Sequence, residues 1–271
     1  MPKPITFLLL SLCLLVASGH ASDTVGTQNT GKKSGVIFSN KYKHMTVKKA
    51  YDLQKAFVKN SVAKGADIVG FKAGVMVRAA YEQLGLAEPV TGVLMKAPLM
   101  AASHPVVKLN EAISLYLEPE FAYRIGQNIH QPVSEESVVG VIAAVAPAIE
   151  LPDFTFTTKK FHGVDIIANN VFADQFILGE WSALSVARAD QTTVSLSCNG
   201  ERLTGGQGSD VFGGQMKALV WMINHLLAQG YSVQEGQILI TGSIGKRIPA
   251  SVCDYRADYG EFGSIEFRVE N

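Results

Sequence analysis

The chain contains 271 residues, 47% of them hydrophobic and 18% charged, and its 24 basic and 24 acidic side chains give a formal net charge of zero. This length suits one large domain or two small ones and allows a substantial core to be buried. The balanced charge argues against the strongly charged surfaces that bind nucleic acids or anionic membranes, so we expect neither as a partner.

The first residues have the pattern of a secretory signal peptide. Lys3 precedes an apolar stretch at 5–16, and the segment Gly19-His20-Ala21 places small residues at both positions that determine cleavage. A membrane anchor is the alternative, but the apolar stretch is short for a span. We predict that residues 1–21 are removed, which leaves an exported, periplasmic or secreted protein without a membrane anchor.

The rest of the chain is interpreted as a leader followed by one domain. Residues 22–40 are rich in Ser, Thr, Gly and Lys and lack a periodic apolar pattern, which predicts a flexible leader. The domain covers 41–271. Its first portion, 41–105, is predicted to be helical, and its second, 106–271, to be rich in strands.

Two helices and a strand are predicted at the start of this domain. The helices cover 47–63 and 77–84, and the apolar segment 68–75 between them predicts a buried strand that contains one lysine, Lys72. A lysine at the end of a strand often extends its ammonium into water. A buried position beside carboxylates would instead make Lys72 a functional cation.

Two glutamates lie inside the next apolar run, 113–125. Because alternate side chains of a strand point to the same face, Glu118 and Glu120 would place two carboxylates side by side. Like charges so close repel each other, and a hard divalent cation bound by oxygen ligands removes the conflict. Pro119 also permits an edge strand with both glutamates in water, so the spacing leaves both interpretations open.

Short strands dominate the remainder, with helices interspersed irregularly, and this pattern favours an α+β fold over a doubly wound parallel sheet. The predicted strands cover 148–151, 194–198, 237–242 and 263–269, and the segment 166–178 is predicted to contain another strand, with Asn169 and Asn170 in it. The predicted helices cover 134–145 and 215–229. The first of these strands contains a lone acid, Glu150. With the two earlier glutamates and the lysine it makes a candidate site for a hard metal, although an exposed acid at a strand end is the alternative.

Two cysteines, Cys198 and Cys253, remain once the predicted signal peptide and its Cys13 are removed. In an oxidising compartment they could form a disulfide. Two buried thiols are an equal alternative, because the sequence does not supply the geometry that a bridge requires.

Eight short motifs occur in a fixed order from residue 50 onward. They are Ala50-Tyr-Asp-Leu-Gln54, Gly70-Phe-Lys-Ala-Gly74, Gln83-Leu-Gly85, Glu118-Pro-Glu-Phe-Ala122, Pro147-Ala-Ile-Glu150, Ala168-Asn-Asn170, Ala218-Leu-Val-Trp221 and Ile238-Leu-Ile-Thr-Gly242. Together they resemble the 2-keto-4-pentenoate hydratase and 4-oxalocrotonate decarboxylase branch of the fumarylacetoacetate hydrolase superfamily. The resemblance implies a mixed β-sandwich roll with flanking helices and a homo-oligomer.

The resemblance also implies a set of functional residues. Glu118, Glu120 and Glu150 match the three ligands of a divalent metal, usually Mg²⁺ or Mn²⁺, and Lys72 matches the active-site lysine. Asn170 and Thr241 match positions near the substrate pocket, although both residue types are also common in turns and strands.

The chemistry that the resemblance implies is that of 2-oxo acids, as in aromatic catabolism. Such an acid can chelate a metal through its carboxylate and its C2 oxygen, and the metal then polarises the carbonyl. We therefore expect a metal-dependent hydratase or lyase. Two alternatives stay open: an exported protein that binds a metal and an oxo acid without converting it, and a carbon–carbon bond hydrolase of the acylpyruvate type.

Several pocket positions depart from the family pattern. Val75-Met76-Val77 replaces a common Leu-Thr-Ser, Asn169 replaces the aspartate of an Ala-Asp-Asn motif, and Ala97 lies where a pocket aspartate is expected. General acid–base catalysis contributes ~10²–10⁴-fold, so the loss of that aspartate could suppress hydration. A metal-bound water, Lys72 or a residue such as His104 would have to replace it.

Overall fold

The computed structural model describes residues 34–183 and 185–271. The predicted signal peptide, 1–21, lies outside the described residues. Within the described ranges, no helix combines the length and the apolar character that crossing a membrane requires.

The described residues form six α-helices and thirteen strands. The helices are α1 Val47–Val62, α2 Arg78–Gln83, α3 Glu135–Val138, α4 Gly163–Ala168, α5 Val186–Gln191 and α6 Gln215–Ala228. The strands are β1 Gly70–Gly74, β2 Val90–Leu94, β3 Leu99–Met100, β4 Val106–Lys108, β5 Tyr116–Ile125, β6 Ile142–Leu151, β7 Gln175–Leu178, β8 Thr193–Cys198, β9 Glu201–Gln207, β10 Ile238–Ile240, β11 Ile248–Pro249, β12 Cys253–Asp258 and β13 Ser264–Glu270.

The strands form two mixed sheets. The larger has the order β2-β1-β10-β5-β6-β7-β3, with β11 also paired to β5, and the smaller has the order β4-β13-β12-β8-β9. The pairs β1–β10, β3–β7 and β4–β13 are parallel, and the others are antiparallel. The predicted α+β class, a mixed β-sandwich roll with flanking helices, is confirmed.

The core lies between the two sheets and beneath α6. The ring of Phe121 on β5 contacts the rings of Tyr259 and Phe262, at centroid distances of 5.4 and 5.0 Å, and so joins the sheets. Leu219 and Ile223 of α6 are fully buried, in agreement with the helical apolar period of the sequence. This packing buries β5, which lies next to β6 inside the larger sheet.

Residues 41–105 contain α1 and α2 but also β1 and β2, which belong to the larger sheet. The description of this portion as helical therefore covers only part of it. Helix α1 starts where the sequence predicts, because the Thr46 side chain accepts a hydrogen bond from Lys49 N.

Two predicted elements differ in part from the structure. The helix over 134–145 ends at Val138, and a strand begins at Ile142, because eight residue pairs with β5 outweigh the helix propensity of the alanines in this segment. The segment 166–178 does contain a strand, β7, but Asn169 and Asn170 lie outside it: Asn169 follows α4, and Asn170 begins a 3₁₀ turn, Asn170–Phe172.

Residues 34–40 are held against the domain, so the flexible leader does not include them. Gly35 N donates to Thr155 O at 3.0 Å, and Ser39 donates through both N and Oγ to the Asp165 carboxylate at 2.8 Å.

Cys198 and Cys253 form a disulfide with a Cα–Cα distance of 5.9 Å. It links the end of β8 to the start of β12, which are neighbouring strands of the smaller sheet. Of the two alternatives left open by the sequence, the bridge is confirmed.

Candidate metal centre and active-site pocket

Three glutamates converge on two neighbouring strands. Glu118 and Glu120 lie on β5 and project to one face, and the antiparallel register places Glu150 of β6 directly opposite Glu118. One oxygen from each carboxylate lies within 4.8 Å of the others. Since β5 is paired to β10 on one side and to β6 on the other, the edge-strand alternative is wrong.

The protein does not fully satisfy these carboxylates. Glu120 Oε2 accepts a hydrogen bond from Gly242 N at 2.6 Å, and Glu150 Oε1 lies 2.5 Å from Lys72 Nζ. The other oxygens, Glu120 Oε1 and Glu150 Oε2, are buried without a hydrogen-bond partner among the described residues. Buried acceptors without partners are costly. A divalent cation with oxygen ligands would satisfy both, so the residues present fit such an ion.

Burial makes the ionised state of these acids costly. It raises the pKa of Glu120 well above its usual range, and the charges of Glu150 and Glu118 raise that pKa further. Burial also raises the pKa of Glu150, to about 7, although the Lys72 ammonium lowers it. Carboxylates in this setting are stable as anions only beside positive charge, which a divalent cation provides.

Lys72 is buried, with 3% of its surface exposed, in the middle of β1. Its Nζ contacts Glu150 and donates to Val171 O at 3.3 Å. Burial disfavours its charge, but Glu150, Glu118 and Glu120 outweigh that effect and raise its pKa, so the side chain is an ammonium. The alternative of a solvent-exposed lysine is therefore wrong.

A strained turn presents the Val171 carbonyl to this lysine. Asn170, Val171 and Phe172 all have positive φ, at 54°, 53° and 57°, which is rare for residues other than glycine. The Asn170 side chain holds the turn in place, because its Oδ1 accepts from Val93 N and its Nδ2 donates to Val93 O, both at 2.8 Å.

The substrate-binding roles that the sequence suggests for Asn170 and Thr241 remain predictions. Neither residue lines the cavity at the carboxylates. Asn170 uses both ends of its amide on the backbone, and Thr241 is buried and donates through Oγ1 to Gln215 Oε1 at 2.6 Å. Both residues therefore contact protein groups next to the site and do not face the cavity.

The sequence interpretation missed two backbone contributors, the Val171 carbonyl and the Gly242 amide. For the second, the sequence did contain a signal, the glycine itself. Gly242 has φ 117°, and a Cβ there would lie 2.5 Å from Met76 Cγ, so only glycine fits this approach to Glu120.

A cavity of about 520 Å³ opens onto this cluster. Lys72 and Glu118 lie at its polar end, and its walls are apolar, with Met76, Phe154 and Phe172 among them. Ala97 and His104 do not line this cavity.

Ala97 is exposed and His104 lines a separate groove beside the smaller sheet, so His104 does not replace the expected aspartate.

A comparison of the sequence with models of known protein families agrees with the geometry of this site. The family model for the fumarylacetoacetate (FAA) hydrolase C-terminal region matches residues 72–269, which include the lysine and all three glutamates. The chain belongs to the fumarylacetoacetate hydrolase family. The superfamily predicted from the ordered motifs is thus confirmed.

Individual relatives within the fumarylacetoacetate hydrolase family point to one branch. A 4-oxalocrotonate decarboxylase of a Pseudomonas species is 26% identical over 227 residues, which cover 82% of this chain and 87% of the relative. The 2-keto-4-pentenoate hydratase of Paraburkholderia xenovorans (strain LB400) is 24% identical over 232 residues, covering 84% and 85%.

Among solved structures, the 4-oxalocrotonate decarboxylase from Pseudomonas putida G7, complexed with magnesium and adipate, matches with a TM-score of 0.82. It is 25% identical and covers 90% of this chain and 93% of its own. The hydratase and decarboxylase branch predicted from the motifs is confirmed.

Proposed function

We propose that this protein is a divalent-metal-dependent lyase of the hydratase type that acts on an enolisable 2-oxo acid. The convergence of three glutamates, two of them with buried oxygens that lack partners, at the end of a cavity carries the proposal. The names of the relatives, a hydratase and decarboxylases, and the magnesium complex of one of them support it.

Glu118, Glu120 and Glu150 would hold the cation, Mg²⁺ or Mn²⁺, since both are hard ions that prefer carboxylate oxygens. Such an ion supplies Lewis-acid polarisation of a 2-oxo carbonyl. Lys72 holds a proton at Nζ beside this position and can donate it, or a hydrogen bond, to a substrate atom that becomes negative.

The other residues of the pocket determine its shape and exclude water from it. Met76, Phe154 and Phe172 present apolar surface, which excludes water and strengthens electrostatic interactions near Lys72. Gly242 N fixes the orientation of the Glu120 carboxylate through its hydrogen bond.

One observation favours a second candidate, a protein that binds a metal and an oxo acid without converting it. The family resemblance predicts hydroxyl groups at two positions of the cavity lining that are Met76 and Val77 here, and Ala97, where an aspartate is expected, is exposed. Lys72 lies 2.5 Å from Glu150 and lines the cavity, and the Ser243 hydroxyl is a further proton-bearing group of the described lining.

Export is proposed as well. The bridge between Cys198 and Cys253 supports it, because disulfides persist mainly in oxidising compartments. The family resemblance supports a homo-oligomer, which light scattering after size-exclusion chromatography tests directly.

A spectroscopic assay tests the proposed reaction. Mature protein with Mg²⁺ or Mn²⁺ is given 2-hydroxydienoates, acylpyruvates and oxaloacetate while the ultraviolet absorbance of the conjugated enol is followed. Metal-dependent loss of a dienoate signal, abolished by EDTA and by Glu120→Gln, is the expected result. Cleavage of an acylpyruvate into two fragments would identify a hydrolase instead, and binding without spectral change would identify the non-converting protein.

A further inference from the structure

Gln215, the first residue of α6, is fully buried, which is costly for an amide unless its polar atoms are hydrogen-bonded. Its Nε2 donates to Gly208 O at 2.8 Å. Its Oε1 accepts from Tyr123 Oη at 2.9 Å and from Thr241 Oγ1 at 2.6 Å. Its backbone N donates to Asp190 Oδ1 at 2.6 Å. This one residue therefore links the start of α6 to β5, through Tyr123, and to the end of β10, through Thr241.

The Gly208 carbonyl determines the direction of these hydrogen bonds. A carbonyl oxygen can only accept, so the amide nitrogen of Gln215 faces Gly208 and the amide oxygen faces the two hydroxyls. Both hydroxyls must then donate to Oε1. Burial raises the pKa of Tyr123 well above its usual range, so its hydroxyl keeps the proton that it donates. The Thr241 hydroxyl is held towards Gln215 in the same way.

Thr241 is joined through one peptide unit to the group that holds Glu120. The N–H of Gly242, which donates to Glu120 Oε2 at 2.6 Å, belongs to the peptide that begins at the Thr241 carbonyl. Because a peptide unit is planar, the position of Thr241 determines where this N–H points. Strand pairing with β5 ends at Ile240, and the Thr241 N–H reaches Phe121 O at 3.4 Å, a long hydrogen bond. The side-chain bond to Gln215 is thus the shortest contact that holds Thr241.

The hydrogen bond from Gly242 occupies one oxygen of Glu120 and leaves the other for a cation. Glu120 Oε1 is buried and has no hydrogen-bond partner among the described residues. If the carboxylate turned away from Gly242, its oxygens would no longer meet those of Glu118 and Glu150 at one position. Hydrogen bonds of this kind orient metal ligands and so determine metal affinity.

We propose that Gln215 is a positioning residue of the metal centre: it holds the Thr241 hydroxyl, and through the Thr241–Gly242 peptide it directs the Gly242 N–H at Glu120. This inference rests on the proposed function and adds a residue that is not part of the described cavity lining. Its effect on a bound cation is therefore exerted through Glu120.

Two isosteric variants compare the two hydroxyls that share Gln215 Oε1. Thr241→Val removes the donor next to Gly242. Tyr123→Phe is the matched control, because it removes the donor in the middle of β5, where pairing with β6 and β10 holds the backbone. Electron paramagnetic resonance of free Mn²⁺ measures metal affinity without substrate. We expect Thr241→Val to weaken Mn²⁺ binding about tenfold, and Tyr123→Phe to change it by less than about twofold.

Stability and rescue are measured on the same proteins. Thr241→Val and Tyr123→Phe should both lower the urea midpoint of unfolding in EDTA, since each removes a buried hydrogen bond. Thr241→Ser keeps the hydroxyl and should retain the Mn²⁺ affinity of the unaltered protein.

A double variant connects the effect to Gln215. Gln215→Met keeps the length of the side chain but removes the amide, and it should weaken Mn²⁺ binding as much as Thr241→Val does. Adding Thr241→Val to it should cause no further loss, because both changes remove the same contact. Should Gln215→Met fail to fold, the comparison of the two hydroxyl variants decides the matter.

Unchanged Mn²⁺ affinity in folded Thr241→Val, or an equal loss in Tyr123→Phe, would overturn the inference and leave the proposed function intact. Additive losses for Gln215→Met and Thr241→Val would also overturn it, because the two residues would then act separately. If the unaltered protein binds no Mn²⁺, the proposed function fails together with the inference.

Discussion

At the scale of single residues, the buried pair of Lys72 and Glu150 is the most consequential contact in the cavity. Both side chains are removed from water, and Glu150 Oε2 has no hydrogen-bond partner among the described residues. A pair of this kind is weak support for stability, since removing two charges from water is costly. Because this costly pair lies at the end of a cavity, we infer that it serves the function of the protein.

Replacing Lys72 by methionine separates its role from metal binding. Lys72→Met keeps the length of the side chain but removes the proton donor, so we expect kcat to fall ~10²–10⁴-fold. Metal affinity should be kept or increased, because a positive charge next to the carboxylates is lost. Steady-state kinetics and metal titration measure the two effects, and unchanged turnover would contradict the role of Lys72.

The pKa of Glu150 predicts a pH dependence of stability for metal-stripped protein. The folded-state pKa of about 7 lies above the usual 4.5, so the folded protein binds this proton more tightly than the unfolded chain. The resulting stabilisation is complete below pH 4.5 and is lost as the pH rises through 7, by about 3 kcal/mol.

Urea unfolding in EDTA between pH 4.5 and pH 8 measures this loss. Saturating Mg²⁺ should restore stability above pH 7, and Glu150→Gln should make the pH profile of the stripped protein less steep, while Glu120, whose pKa burial also raises, still contributes. A profile that rises with pH in EDTA would show that the carboxylates ionise in the folded protein without added charge.

At the scale of elements, the register of β5 and β6 determines the site. The spacing of Glu118 and Glu120 was predictable because a strand repeats every two residues. The position of Glu150 opposite Glu118 was not, because pairing between strands depends on tertiary contacts, and the same contacts place 142–145, the end of the predicted helix, in β6. The turn at Asn170–Phe172 was unpredictable too, since its positive φ values occur at residues other than glycine.

That turn provides a prediction of its own. Asn170→Ala removes both hydrogen bonds to the Val93 backbone, so we expect a loss of about 2 to 3 kcal/mol in the free energy of unfolding and a lower kcat, as the Val171 carbonyl moves from Lys72.

Asn169→Ala is the matched control. It removes three hydrogen bonds, two with the Val36 backbone and one from Nδ2 to Asp165 O, and none of them involves Val93 or Val171. Its unfolding free energy should fall similarly without a fall in kcat, whereas equal kinetic losses in both variants would argue against a specific role for the turn.

At the scale of the whole molecule, the two sheets have separate tasks. The larger sheet carries the carboxylates and the lysine, and the smaller covers it and is closed by the Cys198–Cys253 bridge. The motif order predicted the fold and the residues of the metal cluster. It did not predict the bridge, whose residues are 55 positions apart and whose formation depends on the placement of β8 beside β12.

The separation of tasks is testable through that bridge. The double variant Cys198→Ser, Cys253→Ser should lose about 2 to 4 kcal/mol in the free energy of unfolding, as expected for a loop of this length. Metal affinity should stay unchanged, because the bridge lies in the smaller sheet. A parallel loss of metal affinity in the folded variant would show that the sheets are coupled.

The account as a whole depends on one cation being shared by three carboxylates. Anomalous scattering from crystals grown with Mn²⁺ tests this most directly. The account predicts a single strong peak between β5 and β6, about 2.1 Å from an oxygen of each of Glu118, Glu120 and Glu150. A peak bound elsewhere, or none at these carboxylates at saturating Mn²⁺, would contradict it.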